Sequence, residues 1–191
     1  HHYARAEDDE KALTFFEAIA EKSAAMSAHA EAVAALEEAR GHAERLQEPR
    51  DGRVLALLVR QSQSLHFLGR RQEIVDLLTA HRDRLDRTND LALIAEYYFW
   101  LGFAHAWLGH REEALVHLQR SLDQATQAND DAIAGRVHRA LATEYVYGGK
   151  PLSAAIDHAQ KAAALLERTE DRFWLSQALF TLSYCCIFAG D

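Results

Sequence analysis

The sequence predicts an all-α fold: a right-handed α-solenoid of antiparallel helix hairpins, forming a single array over residues 1–191. Three observations predict it. Aromatic-x-glycine steps recur at Phe67-Leu68-Gly69, Trp107-Leu108-Gly109, Tyr147-Gly148-Gly149 and Phe188-Ala189-Gly190, so the glycines stand 40, 40 and 41 residues apart. A second set of marks, Asp51, Asn89-Asp90, Asn129-Asp130 and Glu170-Asp171, keeps the same period. Self-similarity at a fixed interval of this size is the signature of stacked repeats. Finally, Ala and Leu are abundant while Pro occurs twice and Gly nine times, a composition that favours helix throughout.

Each repeat reads as a first helix, a glycine turn and a second helix. Counting back from the glycine, one face is set by Leu68, Leu108, Gly148 and Ala189, then by Leu65, His105, Tyr145 and Cys186. Eight residues back it continues with Gln61, Leu101, Leu141 and Leu182. Offsets of one, four and eight share a helical face. Seven residues back, Ser62, Gly102, Ala142 and Ser183 are all small, which lets a second helix backbone approach closely. After the glycine, Ile74 and Leu78, then Ala114, Leu118 and Ser121, then Ala155, Ala159 and Ala162 carry the facing stripe, as Ala12, Phe16, Ala32, Leu36 and Ala39 do earlier. The spacing predicts helices near 9–26, 28–46, 51–68, 70–87, 91–108, 111–128, 131–147, 151–168 and 171–189. The periodic glycines suit left-handed C-caps. Asp51, Asp90, Asp130 and Asp171 suit N-caps, Pro151 suits a first helical turn, and Pro49 falls in an inter-repeat turn. Loops of two to four residues force antiparallel neighbours.

Charge and composition exclude several functions. The formal net charge is −8, with no Lys/Arg-rich block, whereas nucleic-acid binding needs a basic face. No apolar run approaches the roughly 18 residues that span a bilayer, and no signal peptide is visible. The adjacent Cys185 and Cys186 point about 100° apart on a helix and are poorly placed to bridge, which fits free thiols in a cytoplasmic protein. His1-His2-Tyr3 opens the sequence without Met, and Gly190-Asp191 falls where earlier repeats turn into a second helix. The expectation is an internal piece of a longer polypeptide.

The pattern of a small residue, an aromatic or apolar residue, Leu-Gly and then Glu-Ala resembles the tetratricopeptide repeat. Its best copy runs Tyr98-x-x-Leu101-Gly102 to Leu108-Gly109, followed by Glu113-Ala114-x-x-x-Leu118. The usual unit is about 34 residues, and these are longer. In that respect they resemble tetratricopeptide arrays of bacterial signalling ATPases, nucleotide cyclases and regulators of the maltose-activator type. The opening His2-Tyr3-Ala4-Arg5-Ala6-Glu7-Asp8 with Lys11-Ala12-Leu13 is similar to the stretch where such proteins pass from their ATPase module into the array. The resemblance implies a non-catalytic interaction or regulatory module of a larger cytoplasmic signalling protein, which takes a protein or peptide segment or a neighbouring domain of its own chain. The alternative is the regulatory segment of a parent signal-transduction ATPase or cyclase whose catalytic domains lie elsewhere. Self-association through uncapped array ends is a further expectation.

In this family first helices line a concave groove. The groove columns then fall two residues before each glycine (Phe67, Trp107, Tyr147, Phe188), six before (Gln63, Phe103, Thr143, Tyr184) and ten before (Val59, Phe99, Arg139, Phe180). Arg136 lies one turn before Arg139. For the first column, groove and packing between helices stand as equal readings; Phe99, Phe103 and Tyr184 are assigned to the groove. Such a groove prefers an apolar or aromatic segment with an acidic group near Arg136 and Arg139. It lacks the Lys and Asn with which related domains clamp acidic chaperone tails. His110, Glu113 and His117 share a face, but without further ligands they read as a solvated helix rather than a zinc site. No nucleophile, phosphate loop, catalytic constellation or cofactor site is expected.

Overall fold

The computed structural model describes residues 2–46 and 51–189, with side chains from residue 8 onward. Pro49, Gly190 and the Tyr3 side chain lie outside the described residues. Among these residues every regular element is helical. The chain forms two compact units, residues 1–93 and 94–191.

In the first unit α1 (His2–Ala25), α2 (His29–Arg45), α3 (Asp51–Phe67) and α4 (Arg71–Ala80) follow one another, and a 3-10 segment (Arg82–Arg87) closes it. Helix α3 is the middle layer. It packs on α2, on α4 and on the 3-10 segment, and buries Val54, Leu55, Leu57, Leu58, Val59 and Leu65. Ion pairs staple the layers. Arg53 reaches Glu10 at 2.9 Å and Glu17 at 2.6 Å, and Asp9 takes His42 Nδ1 at 2.7 Å and Arg45 Nε at 3.0 Å.

The helix expected over 70–87 is corrected here, because α-helix stops at Ala80. The N–H of His81 donates to Leu78 O and its ring Nδ1 lies 2.9 Å from Leu77 O, which tightens the winding. Beyond it the segment contains one apolar residue, Leu85, and so has no stripe to hold an α-helix against α3. Its position is set instead by Arg84, which pairs with Asp51 at 2.8 Å and Glu44 at 3.1 Å. Asp51 is thereby corrected too. It is a buried ion-pair partner in the first turn of α3, not an N-cap.

The second unit holds nearly all of α5 (Leu91–Leu108), then α6 (Arg111–Ala128), α7 (Asp131–Tyr147), α8 (Leu152–Glu167) and α9 (Arg172–Ala189). The cap signals act as expected: Asp130 Oδ1 accepts from Ile133 N at 2.9 Å and Asp171 Oδ1 from Trp174 N at 3.1 Å, and Asp90 does the same for Leu93. Pro151 is the N-cap residue of α8. Gly109 and Gly149 have φ of +81° and +66°, and His110 N and Lys150 N fold back to His105 O and Tyr145 O. In the first unit Gly69 (φ +76°) and Arg70 N repeat this turn. The small column is a close contact: a Cβ on Gly102 would lie 2.9 Å from Leu118 N and 3.1 Å from Ala114 O of α6. Ala142 meets Ala155 and Ala159 in a core that also takes Cys185. Both cysteines are free thiols, and burial pushes the Cys185 thiol up.

Candidate functional site

The three groove columns separate in the structure. The column two residues before the glycine faces solvent throughout: Phe67, Trp107, Tyr147 and Phe188 are all exposed, Trp107 by 59% and Tyr147 by 58%. It sits where each first helix ends, so no further turn covers it.

The column ten residues before the glycine is core in three of four repeats. Val59 is buried, Phe99 has no exposure and Arg139 only 9%. This corrects the assignment of Phe99 to the groove. Its ring stacks on Phe103 at 5.3 Å and meets Trp174 edge-on at 5.6 Å. Phe103 is 7% exposed and packs between Phe99, Trp100 and Trp174, yet it also lines the cavity described below. Two large rings one turn apart on a helix bury more apolar area by stacking inward than by facing water. In α9 the same columns are open. Phe180 is exposed, and Tyr184 is half-buried, its OH 3.2 Å from that of Tyr147 and its ring 4.7 Å from Phe188.

The two arginines differ. Arg136 is engaged: Nη2 lies 2.5 Å from Asp171 Oδ2, Nη1 lies 3.5 Å from Glu96, and its guanidinium rests 5.7 Å from the Trp174 ring. It ties α7 to Asp171, the residue that caps α9, so its charge is met within the chain. Among the described residues no carboxylate pairs with Arg139. Its guanidinium carbon lies 5.2 Å from the Phe103 ring and 5.0 Å from the Trp174 ring, and its Nε–H is buried without an acceptor. Burial pulls its pKa down to about 10.

Arg139 lines a cavity of about 280 Å³ with Phe103, Trp107, Thr143, Glu144 and Tyr147. Arg111 completes the wall and pairs with Glu144 at 3.2 Å. Burial raises the Glu144 carboxyl against the pull of Arg111. Sequence spacing does not point to Trp174, Arg111 or Glu144. Glu144 leaves one signal, since it stands in a column otherwise held by the small Ser64, Ala104 and Cys185. A second cavity of about 460 Å³ lies between α6, α7 and α8. Of its lining residues, Arg168 pairs with Asp131, and Lys161 pairs with Asp157 outside it.

Three histidines gather where α5 turns into α6. His105 Nδ1 lies 3.3 Å from His110 Nδ1, and its ring stacks on His117 at 5.5 Å. Among the described residues no group of three or more His, Cys, Asp or Glu is arranged to hold a metal ion. No helix among them is long and apolar enough to cross a membrane.

No family model matches the chain, and no curated protein sequence does. Solved structures do match. BtubC (BKLC) from P. vanneervenii superposes with a TM-score of 0.75 at 15% identity, over 99% of this chain and 82% of that one. A putative kinesin light chain from Podosopora anserina, with nearly identical TPR-like repeats, gives 0.67 at 18% identity, over 93% and 87%. The MamA protein gives 0.58 at 16% identity, over 94% and 96%. At these identities the likeness is one of fold, and it shows that the chain is an all-α repeat protein of tetratricopeptide-like architecture.

Proposed function

We propose that this chain is a non-catalytic interaction module that holds a protein or peptide segment against the first-helix face of its second unit. The observation that carries the reading is the solvent-facing ring column of Trp107, Tyr147 and Phe188, extended by Tyr184 and Phe180. Aromatic side chains held on rigid helices are favoured anchors for partners, and helical repeats use extended surfaces of this kind. Phe67 presents the equivalent ring in the first unit. Residues 1–191 act as one array in this reading, on the strength of the unbroken sequence period. The module belongs to a larger cytoplasmic signalling protein, bacterial as in the arrays it resembles, and any ATPase or cyclase activity resides in other domains.

The test is the double variant Trp107→Ala with Tyr147→Ala. Both rings are mostly in water, so the expected result is an unchanged melting temperature with loss of the partner that the unaltered protein captures from lysate. Retention of every partner by a folded double variant would refute the reading. A second reading, self-association, draws on α9, which exposes Phe173, Leu179, Phe180 and Ile187 with no charged residue from Phe173 to Ala189. A sedimentation coefficient independent of concentration would exclude it.

A further inference from the structure

Arg139 costs the fold something that the fold does not require. Its column is filled by Val59 and Phe99 in other repeats, so an apolar side chain serves packing there. A guanidinium has five N–H donors. The two flanking rings attract the cation through their faces but leave its buried Nε–H without an acceptor. A nine-tenths-buried cation with no carboxylate partner is a costly arrangement, and this one lines a cavity. The other cation of that cavity, Arg111, is already neutralised by Glu144, so Arg139 supplies the one uncompensated charge among the lining residues.

We propose that this cavity receives a single carboxylate, from an Asp or Glu side chain of a bound peptide, with an apolar or aromatic neighbour of that residue laid on Trp107 and Tyr147. The proposal rests on the groove reading above and specifies its ligand. Volume favours a peptide side chain: about 280 Å³ is below the roughly 300–1,000 Å³ of sites that engulf a whole small molecule. The rings also continue past the cavity to Tyr184 and Phe188, which gives an extended chain further contacts. Planar, bidentate pairing is what a guanidinium offers a carboxylate. Glu144 and Arg111 also line the cavity but are paired with each other, so Arg139 has the charge for one carboxylate rather than two.

The experiment uses two capped tripeptides, one with glutamate between two phenylalanines and its glutamine twin, which differ only in charge. They are titrated into the whole protein while NMR follows the Trp107 indole N–H and the Arg139 Nε–H. The expected result is binding about tenfold tighter for the glutamate peptide, the size of one charged hydrogen-bonded pair, with the Arg139 signal moved by that peptide alone. Arg139→Met should bind both peptides equally and melt no lower than the unaltered protein. Equal binding of the twins to the unaltered protein would overturn the Arg139 site and leave the groove standing. No response of Trp107 to either peptide would overturn both. Hydrocinnamate binding as tightly as the glutamate peptide would assign the cavity to a small molecule and overturn the peptide ligand. If Arg139→Met fails to fold, the comparison of the twins on the unaltered protein still decides.

Discussion

A Cβ at Gly102 would meet backbone atoms of Ala114 and Leu118, which cannot move aside as the end of a flexible side chain can. Gly102→Leu is therefore expected to destabilise by overpacking, by about 1–3 kcal/mol, read as a lower denaturation midpoint with an unchanged slope. An unaltered midpoint would mean that α5 and α6 do not depend on that contact. The rings give a sharper contrast. Phe99→Ala removes a fully buried side chain from the Phe103–Trp174 cluster and should cost about 3–5 kcal/mol. Trp107→Ala, more than half in water, should change stability by less than about 1 kcal/mol. Equal costs would contradict the division between buried and exposed rings. Sequence spacing alone could not make that division. Both residues lie on first helices, and the offset from the glycine says which face they share but not which neighbour covers it. Phe99 is covered because Trp174 folds over it from α9, a contact 75 positions along the chain.

Between elements, the α7–α8 hairpin contains a titration sensor. His138 Nδ1 and His158 Nδ1 lie 2.8 Å apart, with Tyr145 edge-on to His158 at 4.9 Å. Burial, and then the His158 and Lys161 charges, depress His138 to about 4, while Asp157 opposes them. The unfolded chain binds that proton near its ordinary 6.5, so between these values unfolding takes up protons. The share of stability linked to His138 is therefore complete above about pH 6.5 and is lost as pH falls towards 4. A urea midpoint for residues 89–191 should drop over that interval, and His138→Phe should flatten the drop. A profile unchanged by the substitution would place the titration elsewhere. The hairpins themselves were legible in the sequence because local signals mark their ends: Asp130 and Asp171 cap, and Gly109 and Gly149 turn left-handed. The 3-10 segment was only half legible. Its single apolar residue, Leu85, is a local sign of the missing stripe, but the pairing of Arg84 with Asp51 and Glu44 that positions it spans more than 30 residues.

For the molecule as a whole, stability in a repeat fold is built from contacts between successive elements. Each compact unit should then be separable. Residues 94–191 contain the core of Ala142, Ala155, Ala159 and Cys185, the Phe99–Phe103–Trp174 cluster with Arg139, and the ion pair of Arg136 with Asp171. Every residue lining the Arg139 cavity lies between 103 and 147. A fragment begun at Asn89 keeps the Asp90 cap, whose side chain accepts from Leu93 N at 3.0 Å. The expected outcome is that residues 89–191, expressed alone, are helical, melt cooperatively and keep the Trp107 and Arg139 signals of the whole chain. Circular dichroism, a melting curve and the indole N–H spectrum check this together. A fragment that is helical but melts without cooperativity and binds hydrophobic dyes would show that its core needs the first 88 residues. The period of about 40 residues carries this modularity at the level of sequence, because each unit repeats its own apolar stripe. What the period leaves open is which unit carries a ligand site. The Arg139 site rests on one departure from the repeat, an arginine standing where valine and phenylalanine stand elsewhere, and on the two rings that hold it over a cavity.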